Sequence, residues 1–203
     1  MSSPNKPLLI ATTNRGKVRE ITAAVSSPPV RFVSLIDAGI ESACPEKGKT
    51  LEANARTKAE FYSRRSGLLT LAEDSGLEIE ALRGGPGVHS ARFSGRGATD
   101  PKNIAKVLRL LASIPRPDRR ARFVCVMAVA RDGRILDIVR GIVHGTIAEE
   151  ARGSAGFGYD PIFYYHPLRK TFAELAPEEK NAVSHRGRAI AAMKPRLLRF
   201  LPE

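Results

Sequence analysis

The sequence predicts an α/β protein with a mixed β-sheet, and three observations carry that prediction. Short apolar runs alternate with segments of helical periodicity, which is the pattern of strands covered by helices. Two β-rich runs, residues 122–130 and 135–143, are joined by Asp132-Gly133, a hairpin signal that requires antiparallel pairing. The 203 residues suffice for a single domain, or for two lobes sharing one core, with a sizeable interior.

The first elements form a strand, a loop and a helix. Residues 8–11 are an apolar run typical of a buried strand, and apolar residues recur at helical spacing from residue 18 onward. The loop between them, TTNRGK, therefore follows the carboxyl end of a strand, where open α/β sheets bind ligands. Residues 50–65 predict a second helix capped by Thr50, and residues 68–72 predict a strand that ends at the turn 73–76.

The later elements follow from equally local signals. Thr99-Asp100-Pro101 is a helix start, because a polar cap precedes a proline at the first helical position. After the hairpin, residues 162–165 predict a further strand, and the chain from Pro177 onward is mostly helical. The chain shows neither repeats nor low-complexity linkers, so we treat residues 1–203 as one domain with its motifs in loops.

The charge balance narrows the class of partner without deciding it. A net charge of +12 and a pI near 10.2 favour polyanions, among them nucleic acids and phosphorylated small molecules. A nucleic-acid-binding module would cluster its basic residues with aromatic ones, whereas here the arginines are dispersed and aromatic residues make up 6%. We expect no membrane partner, because no signal or membrane-spanning segment is visible. Cys44 and Cys125 lie far apart and match no metal-ligand spacing, which is typical of reduced thiols, so we expect a cytoplasmic protein.

The loop TTNRGK is suited to phosphate. Gly16 opens a helix, so backbone N–H groups and the positive end of the helix dipole face this loop. Lys17 adds a point charge, although the spacing is not that of a Walker A loop. An ordinary turn with a surface lysine remains an equally good reading of this loop taken alone.

The segment AEDSGLEIEAL brings two carboxylates to the end of a predicted strand. Adjacent side chains on a strand point to opposite faces, so Glu73 and Asp74 are not expected to share one ligand. One of them could hold Mg²⁺, which binds through one or two carboxylates together with substrate phosphates. The alternative is an acidic turn, with Gly76 permitting the bend.

Two further segments carry groups that bind nucleosides elsewhere. In GFGYDPIFYY, Phe157 between two glycines offers a stacking platform for a base, and Asp160 can accept hydrogen bonds. In EEKNAVSHRGRA, the donors of Lys180, His185 and Arg186 lie where one helix ends and another begins. The alternatives are a hydrophobic turn packed into the core and a basic helical surface.

Taken together and in this order, these segments resemble the inosine triphosphate pyrophosphatase family, whose members hydrolyse non-standard purine nucleoside triphosphates. The matching stretches also include GKTLEANA and PGVHSARFSG, so the resemblance spans nearly the whole chain. It implies two lobes around a long mixed sheet with flanking helices, and an active site in the inter-lobe cleft. It also implies a homodimer, dependence on Mg²⁺, and cleavage of inosine, deoxyinosine and xanthosine triphosphates (ITP, dITP and XTP) to monophosphate and pyrophosphate.

The resemblance also implies roles for individual residues. Asp74 takes the position of the catalytic base and of a metal carboxylate, and Glu46 that of a further metal carboxylate. His185 and Arg186 would donate to the C6 oxygen of the base, so that adenine, with an amino donor there, is disfavoured by roughly 1–3 kcal/mol per mismatch. The other expected substrate contacts are Thr12, Thr13, Asn14, Arg15, Gly16, Lys17, Ser75, Phe157, Gly158, Tyr159, Asp160 and Lys180.

The chain departs from the family pattern at three positions. Thr13 stands where many relatives have glycine, Glu73 replaces the usual first aspartate of the pair, and His89 stands where tyrosine is common. The longer arm of Glu73 leaves open whether this residue contributes to metal binding. A Maf-like nucleotide pyrophosphatase of related fold is the nearest alternative enzyme, and the segments SHRGRA and GFGYDP argue against it.

Overall fold

A computed structural model describes residues 7–25, 30–197 and 199–200 of the chain. Strands and helices alternate through the first half of the chain, and the last two helices follow one another directly. The strands are β1 Pro7–Ile10, β2 Arg31–Val33, β3 Leu69–Ile79, β4 Arg120–Arg131, β5 Arg134–Ile147, β6 Phe163–Tyr165 and β7 Lys170–Thr171. The α-helices are α1 Arg15–Ala24, α2 Leu51–Ser66, α3 Asp100–Leu110, α4 Pro177–Val183 and α5 His185–Leu197.

The described strands form one seven-stranded sheet in the order β2-β1-β3-β4-β5-β6-β7. Strand β1 pairs in parallel with both of its neighbours, with Leu8 opposite Phe32 on one side and Leu69 on the other. Strands β5, β6 and β7 pair antiparallel, with Thr146 opposite Tyr164. The predicted α/β class with a mixed sheet and flanking helices is therefore confirmed.

The predicted hairpin and helix caps are also present. Asp132 and Gly133 both have positive φ, 50° and 75°, which is the conformation of the type I′ turns that match the twist of paired strands. The side chain of Thr50 accepts a hydrogen bond from the Ala53 amide, and that of Thr99 accepts one from the Lys102 amide. Each side chain satisfies an amide that the first helical turn leaves unpaired.

Strand β3 corrects one sequence-based expectation. The segment from Glu73 to Gly76 was expected to turn, but β3 continues through it to Ile79. Gly76 has a different purpose, because a Cβ atom there would lie 2.3 Å from the Gly87 carbonyl oxygen and 2.9 Å from the Ser90 hydroxyl. The glycine thus allows a neighbouring loop to lie directly on the strand.

The chain divides into two compact units, and each has its own hydrophobic core. The first unit comprises the described parts of Met1–Asp74, Cys125–Gly141 and Arg186–Glu203, and the second comprises Ser75–Val124 and Ile142–His185. In the first, Leu8, Ile10 and Met127 are among the buried core residues. In the second, Leu77 and Phe163 are among them. Among the described helices, none is both long and apolar enough to cross a membrane.

Candidate active site

The loop between β1 and α1 has the conformation expected of a helix start. The Asn14 side chain accepts a hydrogen bond from the Lys17 amide at 3.1 Å, and the Asn14 amide donates to the Thr12 hydroxyl at 3.2 Å. Thr13, Asn14 and Arg15 are exposed, whereas Thr12, Gly16 and Lys17 are half-buried. The loop is therefore held by its own side chains at the positive end of a helix dipole, an arrangement that attracts anions.

Glu73 lies at the centre of a buried charged cluster, which consists of Lys17, Glu20, Glu73, Cys125 and Arg186. Its carboxylate is 1% exposed, and the Lys17 ammonium lies 2.6 Å from its Oε1 atom. The Oε2 atom accepts hydrogen bonds from the Arg186 Nε atom at 3.3 Å and the Cys125 thiol at 3.1 Å. Arg186 also donates to Glu20.

Opposite charges decide the ionisation of this cluster. Burial opposes the charged form of Glu73, but Arg186 and Lys17 outweigh burial and hold the pKa of Glu73 well below its usual range. Burial likewise opposes the charge on Arg186, and Glu73 is the main group that raises its pKa in spite of burial. Burial, followed by the charge on Glu73, raises the pKa of the Cys125 thiol well above its ordinary value. The cluster therefore holds ionised carboxylate and cations with a neutral thiol.

Asp74 has a separate set of partners. Its carboxylate accepts a hydrogen bond from the Asn54 amide at 3.0 Å on Oδ2 and from the Lys58 ammonium at 2.9 Å on Oδ1. Lys58 also lies 3.5 Å from the Glu46 carboxylate. Burial opposes the charge on Lys58, but Asp74 and then Glu46 outweigh it, so the pKa of Lys58 is raised. The neighbours Glu73 and Asp74 thus contact different groups, as expected for consecutive positions of a strand.

The residues near Asp74 fit a magnesium ion that is completed by substrate. Within the described part of the chain, no group of three or more His, Cys, Asp or Glu side chains could hold a metal by itself. Glu46 and Asp74 nevertheless face one cation, since both lie within 4 Å of the Lys58 ammonium. Two carboxylates together with phosphate oxygens are a common ligand set for Mg²⁺. Glu73 is less suited to a metal, because its carboxylate is 1% exposed and already lies against two cations, Lys17 and Arg186.

In the second unit, Asp160 organises the segment that follows Gly156. Its Oδ2 atom accepts hydrogen bonds from the Phe157 amide at 2.8 Å and from the Lys180 ammonium at 2.5 Å. Asp160 and Lys180 are 2% and 4% exposed, so this is a buried ion pair. The Lys180 ammonium also lies 4.8 Å from the centre of the half-buried Phe157 ring.

The two rings of this segment have different environments. Tyr159 is 4% exposed and belongs to the core of the second unit, and its hydroxyl donates to the Ser90 carbonyl at 2.8 Å. Burial, followed by the charge of Asp100, raises the pKa of Tyr159. Asp100 also accepts a hydrogen bond from the Gly158 amide at 2.7 Å. Phe157 therefore remains the candidate stacking platform, whereas Tyr159 and Asp160 have contacts within the protein.

The remaining expected site residues lie at the boundaries of elements. His185 begins α5 and is buried, with its ring stacked on Phe123 at a centroid distance of 4.6 Å and an angle of 12°. Arg186 follows it and belongs to the charged cluster of the first unit. Ser75 is half-buried on β3, directly after Asp74. The base-reading contacts expected of His185 and Arg186 stay predictions.

Sequence reasoning missed several residues that hold these groups. Helix α2 buries residues 51, 54, 55, 58, 59, 62 and 63, and this face contains the polar side chains of Asn54, Lys58 and Ser63. Asn54 and Lys58, one turn apart on a buried helix face, were a detectable signal. Glu20, Cys125 and Asp100 gave no comparable signal, because their roles depend on contacts between segments that are distant in the chain.

A mixed α/β sheet with a phosphate-suited loop and a buried carboxylate–lysine centre defines a class of nucleotide-binding α/β proteins. The model of the Ham1 family matches residues 8–196, and the chain belongs to that family. This confirms the resemblance that the motifs indicate.

Named relatives and solved structures agree with this assignment. The chain is 48% identical over 188 residues to a dITP/XTP pyrophosphatase of Geobacillus kaustophilus, covering 93% of this chain and 92% of that protein. It is similar to a HAM1 protein of Coxiella burnetii, with a TM-score of 0.86, 40% identity, and coverage of 96% and 99% of the two chains. A nucleoside-triphosphatase (dITP/XTP pyrophosphatase) of Mycobacterium abscessus matches with a TM-score of 0.75 and 44% identity, over 93% of this chain and 99% of the other.

Proposed function

We propose that this protein hydrolyses non-standard purine nucleoside triphosphates, namely dITP, XTP and ITP, to the monophosphate and pyrophosphate. The observation that carries the proposal is the Asp74 carboxylate, held by Asn54 and Lys58 and facing the same cation as Glu46. The names of relatives that are 43–48% identical over at least 90% of the chain support the substrate class. The cell would use this activity to remove damaged purine nucleotides.

The first unit would bind the phosphates. The start of α1 and the ammonium of Lys17 offer positive charge to an incoming triphosphate. Glu73 fixes the position of that ammonium, at a distance of 2.6 Å, so its orientation is set before substrate arrives. Preorganised charge of this kind stabilises the transition state, since it needs no reorganisation as charge develops on the phosphoryl oxygens.

Asp74 would accept the proton of the attacking water. A carboxylate has about four acceptor positions, and Asn54 and Lys58 occupy one on each oxygen. The oxygen of the water would form a bond to the α-phosphorus, pyrophosphate would leave with the electrons of the broken bond, and the proton would pass to Asp74. Mg²⁺ held by Glu46 and Asp74 would supply Lewis-acid stabilisation of the phosphoryl charge.

The nucleoside roles remain those implied by the family. Phe157 would stack on the purine, which contributes roughly 1–3 kcal/mol with little preference among bases. Lys180 would contact substrate, and Gly158, Tyr159 and Asp160 would shape the surrounding segment. His185 and Arg186 would read the C6 oxygen of the base. A homodimer and a cytoplasmic location are also part of this proposal.

Pyrophosphate release tests the proposal directly. The panel is dITP, XTP, ITP, GTP and ATP, each with and without Mg²⁺, for the wild-type protein and for Asp74→Asn. We expect magnesium-dependent release from the first three substrates, weak release from the others, and loss of about 10²–10⁴-fold in the variant. Equal release from all five would remove the base-reading role of His185 and Arg186. Salt-sensitive binding to DNA or RNA without any hydrolysis would favour a nucleic-acid-binding module instead.

A further inference from the structure

The Asn54 side chain is almost wholly enclosed and makes a hydrogen bond at each end. It is 1% exposed and lies on the buried face of helix α2. Its Oδ1 atom accepts from the Gly48 amide at 2.8 Å, and its Nδ2 atom donates to Asp74 at 3.0 Å. A buried amide with both ends engaged costs little to bury, whereas losing either partner would leave an unsatisfied polar group.

We propose that Asn54 is a positioning residue for hydrolysis, an inference that rests on the function proposed above. Asn54 fixes the rotation of the Asp74 carboxylate and ties it to the loop that carries Glu46. It contacts neither substrate nor the reacting atoms and acts only through Asp74 and the backbone of Gly48.

The geometry of α2 determines how Asn54 orients the Asp74 carboxylate. Asn54 and Lys58 are four residues apart, so their side chains leave the same face of the helix. One donates to Oδ2 and the other to Oδ1 of the same carboxylate. Two donors from one rigid element fix the plane of the carboxylate and leave its remaining acceptor positions directed elsewhere. Displacement of a reacting group by about 1 Å can cost about 10²-fold in rate, so this orientation matters for a general base.

The neighbouring backbone is shaped to accept the amide. A Cβ atom on Gly48 would lie 2.5 Å from the Asn54 Oδ1 atom, so only glycine allows the loop to approach this closely. Gly48 lies two residues after Glu46. The orientation of the amide follows from its partners, because the Gly48 N–H requires the oxygen and the Asp74 carboxylate requires the nitrogen. A flipped amide would place like groups against each other at both ends.

The first test is Asn54→Asp, with Asn54→Ala beside it. Aspartate keeps an oxygen for the Gly48 amide and nearly the same volume, but in its ionised form it cannot donate to Asp74. At saturating Mg²⁺ we expect kcat for dITP to fall at least about tenfold while KM changes less than about threefold, since the variant misorients the base but leaves the phosphate loop and the Phe157 ring unchanged. If Asn54 only held the loop in place, the kcat of the Asn54→Asp variant would equal that of the wild-type protein.

Ser63→Ala is the matched control. Ser63 is a fully buried polar residue on the same helix, and its hydroxyl accepts a hydrogen bond from the Gly133 amide at 3.0 Å. Its loss should lower the melting temperature without changing kcat.

The second test exchanges the two groups, in the double variant Asn54→Asp/Asp74→Asn. Asn54→Asp alone should lower the melting temperature by roughly 2–12 °C, because it places two carboxylates together in the interior. The exchange restores a donor and an acceptor in the reverse direction, so we expect at least half of this loss to be recovered while hydrolysis remains absent.

The outcomes separate this inference from the proposed function. An unchanged kcat in Asn54→Asp, or no thermal recovery in the double variant, would overturn the positioning role and leave the proposed function intact. A wild-type protein that releases no pyrophosphate from dITP, XTP or ITP would overturn both.

Discussion

The two units bury polar groups by different means. The charged cluster of the first unit alternates carboxylates with cations, so that each buried charge has an opposite neighbour. Among the described residues, the second unit buries one pair of opposite charges, Asp160 with Lys180, and satisfies other buried polar side chains through the backbone, as Arg119 donates to the Ile114 and Leu111 carbonyls. Loss of one group in the first unit should therefore disturb several others, whereas a change in the second unit should act more locally.

Glu73→Gln should have the largest effect on stability. It removes the charge that Lys17 and Arg186 share, leaving Arg186, at 1% exposed, beside Lys17 with Glu20 as its remaining carboxylate. Breaking a buried ion pair from one side costs about 3–5 kcal/mol, and we expect a loss of this size in the free energy of unfolding. Urea denaturation at neutral pH measures it.

The exposed pair of Glu149 and Arg116 provides the control for Glu73→Gln. Glu149→Gln removes the same charge at the surface, where water replaces the partner, and should leave the urea midpoint unchanged. Equal losses in the two variants would contradict the idea that the charged cluster depends on mutual pairing.

Gly156→Ala tests the corresponding ion pair of the second unit. A Cβ atom at Gly156 would lie 2.1 Å from the Asp160 Oδ2 atom, which accepts from Phe157 and Lys180. The carboxylate must shift, and we expect a loss of about 1–3 kcal/mol in unfolding free energy beyond the backbone strain.

Gly158→Ala is matched to Gly156→Ala in backbone conformation. The φ angles are +63° and +78°, and a Cβ atom at Gly158 would meet no atom within 4 Å. Both variants place alanine at a positive φ angle, which costs about 1–2 kcal/mol, so the difference between their unfolding free energies isolates the contact with Asp160. Identical losses would show that strain alone explains the glycine at 156.

Phe157→Ala should weaken substrate binding with little preference among bases. Loss of roughly 1–3 kcal/mol of stacking corresponds to a rise of about 5- to 150-fold in KM, of similar size for dITP and for ATP. Steady-state kinetics with both substrates measures it. Phe61→Ala is the control, because Phe61 is also half-buried and its ring centre lies 3.6 Å from the guanidinium carbon of a cation, Arg65. A similar rise in KM for Phe61→Ala would contradict a specific role for Phe157.

Tyr159→Phe should have the smallest effect, and the size of that effect should depend on pH. Near neutral pH the variant loses the hydrogen bond to the Ser90 carbonyl and about 1 kcal/mol of stability. Because the pKa of Tyr159 is raised by burial and then by Asp100, the wild-type protein loses stability once the unfolded chain ionises above about pH 10. The variant escapes this loss, so the gap should narrow above that pH.

Urea midpoints at about pH 8 and pH 10.5, on either side of the ordinary tyrosine pKa, test whether the stability gap between Tyr159→Phe and the wild type narrows. A gap that stays constant between these pH values would contradict the effect of burial on Tyr159.

The sequence predicted elements that depend on local signals. The caps Thr50 and Thr99 and the turn at Asp132-Gly133 need only neighbouring residues, and all three are confirmed. The predicted end of β3 was wrong, because Gly76 resembles a turn residue in the sequence. Glycine is needed at position 76 because the loop at Gly87, eleven residues away, lies against the strand, and this contact is visible only in the fold.

The site was predictable as motifs but not as contacts. The charged and aromatic residues stand out because their types suit phosphates and bases. The residues that contact them do not stand out in the sequence. Cys125, for example, has the sequence context of an ordinary core residue, and only the structure shows its thiol 3.1 Å from the Glu73 carboxylate. The spacing of Asn54 and Lys58 on α2 was a detectable signal, but it did not reveal their shared partner, Asp74. Pairing across distant segments is a property of packing, and a single sequence carries little information on it.

Alkylation of the Cys125 thiol would also report how often the first unit opens to solvent. It is fully buried and its pKa lies well above the ordinary value, so alkylating reagents should not reach a thiolate there in the folded protein. Replacing Cys44 with serine would leave Cys125 as the only cysteine of the chain. The rate at which that cysteine is alkylated would then follow how often the first unit opens, in the same way as slow amide exchange.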